Sequence, residues 1–149
     1  MDVFAAMLPE RSFGHPDGMT FETIREQAMP SVVIRTGPVM AKTMRGMRHA
    51  VAALASQGND LIVDDIMMAK AEADEYRALL ARMNLKFVGL FASLGVLEIR
   101  ERDRGARQLG LARWQFDRVH RGQSYDLEIE TSGSTPARNA ERICDAFGL

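Results

Sequence analysis

An α/β layer fold with a parallel sheet is what this 149-residue sequence predicts, and three observations predict it. Segments with apolar residues spaced by four and three alternate with short apolar runs, "LIVD" at 61–64 and "KFVGLF" at 86–91, the pattern of strands separated by helices. Both runs are too apolar to keep a solvent face, as expected of strands covered on both sides. The composition, 46% hydrophobic and 26% charged, is ordinary for a globular protein, at a length that fits a single domain over 1–149.

The elements follow in order. "PERSFGHPDGMT" (9–20) holds two prolines and two glycines and predicts a surface loop. From Pro38 to Gln57 the larger apolar residues fall at Met40, Met44, Met47, Val51 and Leu54, one stripe down a helix. Pro38 suits its first turn and Gly58 the position just past its end. "LIVD" is then the first buried strand. Lys70–Met83 is helical, with Tyr76, Leu80 and Met83 on one side, and "KFVGLF" is the second buried strand. Leu94–Arg107 and Ala112–His120 predict two more helices, and "SYDLEIET" (124–131) alternates as a third strand. In the closing helix Thr135 is the cap, Pro136 takes the first position, and Ala140, Ile143, Cys144 and Phe147 supply the buried side. There is no internal repeat or low-complexity segment.

Nineteen basic against twenty acidic residues leave a net charge of −1. No global field draws the chain to nucleic acid or anionic lipid, so neither is expected as a partner. The single cysteine excludes an internal disulfide, and no apolar run approaches the roughly 20 residues of a membrane span. "MDVFAAMLPER" lacks the basic start and apolar core of a secretion signal. A reduced, cytoplasmic setting is expected.

Three features could carry chemistry. "GNDLIVDDI" (58–66) ends in Asp64 and Asp65, whose charges repel unless a cation or hydrogen-bond donors hold them. An apolar strand ending in an acid is how nucleotide-binding α/β proteins place a carboxylate near Mg²⁺; the alternative is that Asp64 merely ends the strand and Asp65 caps a turn or the next helix. In "EIRERDRGARQLGLARWQ" (98–115), Arg100, Arg104 and Arg107 are spaced by four and three, which would put three phosphate-gripping guanidiniums on one face of a lid-like segment. The alternative there is an exposed helix laced by Glu98–Arg102 and Asp103–Arg107 pairs, against which Gly105 and Gly110 argue for a segment that bends. His120 could be a base or could hold a helix end, and no second catalytic group stands beside it in sequence. Trp114 and the methionines read as core, although Met29, Met40 and Met44 could wall an apolar ligand, and Cys144 reads as a small buried hydrophobe.

Taken together, "DVFAAM", "DLIVDDI", "KFVGLFASLGVLEIRERDRGARQLGLARWQ", "VHRGQSYDLEIET" and "TPARNAERI" resemble the chloramphenicol phosphotransferase family of P-loop kinases along nearly the whole chain. The resemblance implies a P-loop NTPase-like, three-layer fold with a parallel sheet. It implies transfer of the γ-phosphate of ATP, with Mg²⁺, to a hydroxyl of a small molecule, with antibiotic resistance as one use. By the same resemblance Asp2 matches the base that takes the acceptor's proton, Asp64 matches the acid that supports Mg²⁺ through water with Asp65 beside it, and Arg104 and Arg107 match lid arginines that close on the phosphate, with Arg100 one turn earlier as a helper.

One part is missing from the pattern. P-loop kinases open with a strand, a G-x-x-x-x-G-K-[ST] loop and a helix, and no such motif occurs in the 149 residues. The resemblance therefore implies an N-terminally truncated domain lacking about 35 residues: the first strand, the phosphate loop, the first helix and the second strand. Two other readings follow: a non-catalytic remnant that binds a ligand or partner, and another small-molecule or nucleotide kinase on the same scaffold. In the truncated form, self-association through exposed sheet edges is expected.

Overall fold

The computed structural model describes residues 2–25, 29–105 and 108–149, the side chain of Asp2 excepted. Among these the order is α1 (Asp2–Ala6), β1 (Met19–Ile24), β2 (Ser31–Thr36), α2 (Pro38–Ser56), α3 (Lys70–Leu79), β3 (Val88–Phe91), α4 (Leu94–Arg104), α5 (Leu111–Phe116), β4 (Leu127–Glu130) and α6 (Pro136–Phe147), with a 3-10 turn at Glu10–Ser12.

The apolar stripe of the longest helix finds its partner in α3. Met47 and Val51 of α2 are buried with Tyr76 and Leu80, and Phe4, Met67, Leu85 and Phe87 pack around them. Each such side chain, fully buried, contributes about 1.5–3 kcal/mol. Arg48 is drawn into the same interface, where its Nε donates to Glu75 at 2.6 Å and its Nη1 lies 3.8 Å from Glu72. The neighbouring guanidiniums, Arg48 first, hold the Glu75 carboxyl below its ordinary pKa. Glu72 also caps α3, accepting from Met68 N at 2.7 Å and Ala69 N at 3.0 Å.

The chain is mixed α/β, with two two-stranded sheets among the described residues. β3 and β4 are parallel, in register from Val88 opposite Leu127 to Phe91 opposite Glu130. The other sheet, an antiparallel β1–β2 hairpin, was not expected from the sequence, and it packs against α5. β1 has no buried residue, and its apolar–polar alternation, Met19-Thr20-Phe21-Glu22, breaks before Ile24.

Several expectations need correction: the helix expected over 112–120 ends at Phe116, the strand expected to be buried at 86–91 leaves Leu90 55% exposed, and three more follow. "LIVD" is not a strand: residues 61–68 form neither strand nor helix, and Ile62 is 103% exposed. An apolar run becomes a strand only when another strand satisfies its backbone, and none pairs with it among the described residues. The closing helix keeps its predicted cap, with Thr135 Oγ1 accepting from Arg138 N at 3.3 Å and Pro136 at the first position. Its apolar side is uncovered, however: Ala140 and Cys144 are exposed, and Ile143 and Phe147 only half-buried. Third, α3 stops at Leu79, short of Met83, which is 40% exposed. Of the proposed methionine wall, Met40 is buried and Met29 exposed.

Candidate active site

A cavity of about 360 Å³ opens at the carboxyl end of β3, between α4 and α5. That size suits a small ligand, and the carboxyl edge of parallel strands is where α/β folds bind ligands. Its apolar wall includes Ile66, Phe91, Leu97, Phe116 and Val119, and its polar groups are Arg100, Glu101, Arg104, Gln115 and His120. Leu97, Arg100, Glu101 and Arg104 are spaced by three, one and three, so one face of α4 supplies four of these residues.

Each polar side chain is held differently. Arg100 donates through Nη1 to Thr131 Oγ1 at 3.0 Å and through Nη2 to Thr131 O at 2.7 Å. Thr131 in turn donates its N–H (2.7 Å) and its hydroxyl (2.9 Å) to Phe91 O. Arg100 thus ties α4 to the carboxyl ends of both parallel strands, and a guanidinium carries more donors than Thr131 uses. Arg104, the last residue of α4, is exposed at the cavity wall. Arg107 lies outside the described residues. Glu98 pairs with Arg113 of α5 rather than with Arg102.

His120 stacks on Phe91, ring centroids 3.9 Å apart, and its Nδ1 is 2.7 Å from the Tyr125 hydroxyl. Burial pushes its pKa below the ordinary value, outweighing a hydrogen bond to the Leu90 backbone and the charge of Glu128. The neutral ring is therefore part of the cavity floor, held by its neighbours. Trp114 is half-buried in α5, and the Arg118 guanidinium lies over its ring, 4.9 Å from the centroid.

The acid pair stands next to the cavity in sequence, immediately before Ile66. Asp64 is exposed. Asp65 is half-buried and accepts from the Tyr76 hydroxyl at 3.2 Å. Burial raises the Asp65 pKa, partly offset by that hydrogen bond, while burial and the Asp65 charge push Tyr76 well above its usual range. Asp2 begins α1, which packs on α2, and its side chain is outside the described residues.

A family model for chloramphenicol phosphotransferase-like proteins matches residues 1–148. The chain belongs to that family. A search of curated proteins finds no match. A chloramphenicol phosphotransferase-like chain implies a P-loop kinase-like fold and a phosphotransferase of the kinase type, and the parallel pair with a cavity at its carboxyl edge is in keeping with both. For a chloramphenicol phosphotransferase-like chain, sequence reasoning missed three polar residues of this region: Glu101, Gln115 and Thr131. The signal for Glu101 was available. Leu97 and Glu101 are four apart on one face of α4, so an inward-facing Leu97 places the carboxylate inward too.

Among the described residues no cluster of three or more His, Cys, Asp or Glu side chains is placed to hold a metal ion, so a cage built by the protein alone does not fit. Mg²⁺ commonly needs only one or two carboxylates, with phosphates and water completing the shell. Asp64 is exposed, and Asp65 is half-buried with its carboxylate accepting from Tyr76; either is a carboxylate of the kind that mode uses.

Proposed function

We propose that the chain is an ATP-dependent O-phosphotransferase domain acting on a hydroxyl of a small molecule. The observation that carries this reading is the pair of guanidiniums, Arg100 and Arg104, on the wall of a mainly apolar cavity at the carboxyl edge of a parallel strand pair in a chain of this family. Phosphoryl transfer asks little covalent chemistry of a protein: it needs positioning and neutralisation of phosphate charge. Arg104, with Arg107 beyond it, would face the transferring phosphate; Arg100 holds the α4 end of the cavity to the sheet and can lend donors. Asp2 would take the acceptor's proton. Asp64, with Asp65 beside it, would stand on the metal side, and Mg-ATP when bound would supply the phosphoryl group. The apolar wall suits an acceptor with a hydrophobic body, and inactivation of an antibiotic is one use of such chemistry. The charge balance favours a small molecule over nucleic acid. No helix among the described residues is long and apolar enough to cross a membrane, and a cytoplasmic setting is part of the same proposal.

The 149 residues contain no phosphate-loop motif, which favours one second reading, a module that binds a ligand or partner without transferring phosphate. A transfer assay with labelled ATP and a panel of small hydroxyl compounds separates the two. The kinase reading expects acceptor-dependent transfer. It also expects Arg104→Ala to lower the rate more than ATP binding, and Asp2→Asn to lower turnover roughly a hundred- to ten-thousandfold with ATP binding intact. If no acceptor is phosphorylated and Mg-ATP shows no saturable binding by calorimetry, the binding-module reading replaces it.

A further inference from the structure

α4 carries Arg100 and Arg104 of the proposed transfer site, and one buried carboxylate on the same helix ties it to the start of α5. Glu101 is 6% exposed. Its Oε2 accepts from Gly110 N and its Oε1 from Ala112 N, both at 2.7 Å. Arg104 and Gly105 end α4, and Gly110 precedes α5. The Glu101 carboxylate is thus held by two backbone N–H groups, short bonds that fix position closely.

The anchor is itself immobilised. Gly110 O accepts from Val32 N of β2 at 2.9 Å. Gly110 holds φ at 103° with Pro30 O where a Cβ would meet it at 2.6 Å. The start of α5 is thus fixed to the hairpin, and Glu101 carries that fixation into α4, one turn from Arg104.

We infer that Glu101 is a positioning residue for phosphoryl transfer: by holding α4 to the start of α5 at Gly110 and Ala112 it sets where Arg104 stands at the cavity. The inference rests on the kinase reading above. Packing of α4 on α5 has another tie, the Glu98–Arg113 pair, and that pair supplies the control.

The test uses the full chain with Glu101→Gln and Glu98→Gln. Glutamine keeps one acceptor oxygen, so one of the two amides loses its partner. Hydrogen exchange at Gly110 or Ala112 is expected to quicken about tenfold or more. Tryptic cleavage after Arg104 should quicken as well, and the transfer rate should fall about tenfold with the acceptor KM little changed. Glu98→Gln should leave both amides protected. The inference is overturned if both amides stay protected in Glu101→Gln, if Glu98→Gln quickens exchange equally, or if exchange quickens while the rate stays the same. Wild-type chain that transfers no phosphate would sink the kinase reading and the role in transfer with it. Exchange and cleavage would then still decide whether Glu101 holds α4 to α5.

Discussion

Burial opposes a negative charge on Asp65, and its pKa is raised for that reason. An acid whose folded pKa lies above its unfolded value adds stability at low pH, and that contribution is lost as pH rises through the folded value. Asp65→Asn keeps an oxygen for the Tyr76 hydroxyl and removes the charge. The thermal midpoint near pH 7 should therefore hold or rise relative to wild type, with the difference closing as pH falls towards about 4. A lower midpoint at neutral pH would show that a partner stabilises the charge. If the variant also loses transfer activity, Asp65 is a residue kept for function against stability. The sequence made this position legible because two adjacent acids after an apolar run demand a partner, and Tyr76 is one. For Glu101 the spacing to Leu97 could have given the inward face, but not its partners, which are backbone N–H groups. For Arg100 the spacing gave its face of α4, while its engagement by Thr131 depends on where β4 ends, far along the chain.

The helices were legible because their periodicity is local: the stripe over 38–57 is α2 nearly residue for residue. The strands were less so, since a strand is defined by its neighbour. "KFVGLF" and "SYDLEIET" have each other, as β3 and β4, whereas "LIVD" has no strand beside it among the described residues. The glycines that bend the 98–115 segment are not equivalent. Gly105 ends α4 with φ at 63° and open space at its Cβ position, while Gly110 has both a positive φ and the Pro30 carbonyl in the way. Gly105→Ala should cost about 1 kcal/mol, the left-handed conformation alone. Gly110→Ala should cost about 2–4 kcal/mol, because overpacking is added to the strain. Urea unfolding of the two variants checks the order, and equal costs would mean that the β2–α5 contact yields easily.

At the scale of the molecule, apolar surface is left uncovered in several places: Ile62 is fully exposed, Leu90 of β3 is 55% exposed, and no residue of α6 is buried. Exposed apolar edges pair with other chains. We propose that the chain self-associates through this surface, giving a mass that grows with concentration in size exclusion with light scattering, and that Ile62→Lys lowers it. A wild-type chain that stays monomeric at high concentration would end that proposal. The register of the parallel pair, Val88 opposite Leu127, also sets an order of events during folding. The β1–β2 hairpin and the α2–α3 pair join stretches near in sequence, and such contacts form in microseconds. β3 and β4 meet only after the intervening stretch with α4 and α5 has been closed into a loop, whose entropy must be lost before the strands gain anything from pairing. Trp114, the single tryptophan, sits in that stretch. In a refolding experiment its fluorescence should therefore change in a slower phase than the far-ultraviolet signal of the helices, and the cavity should arise in that late phase too.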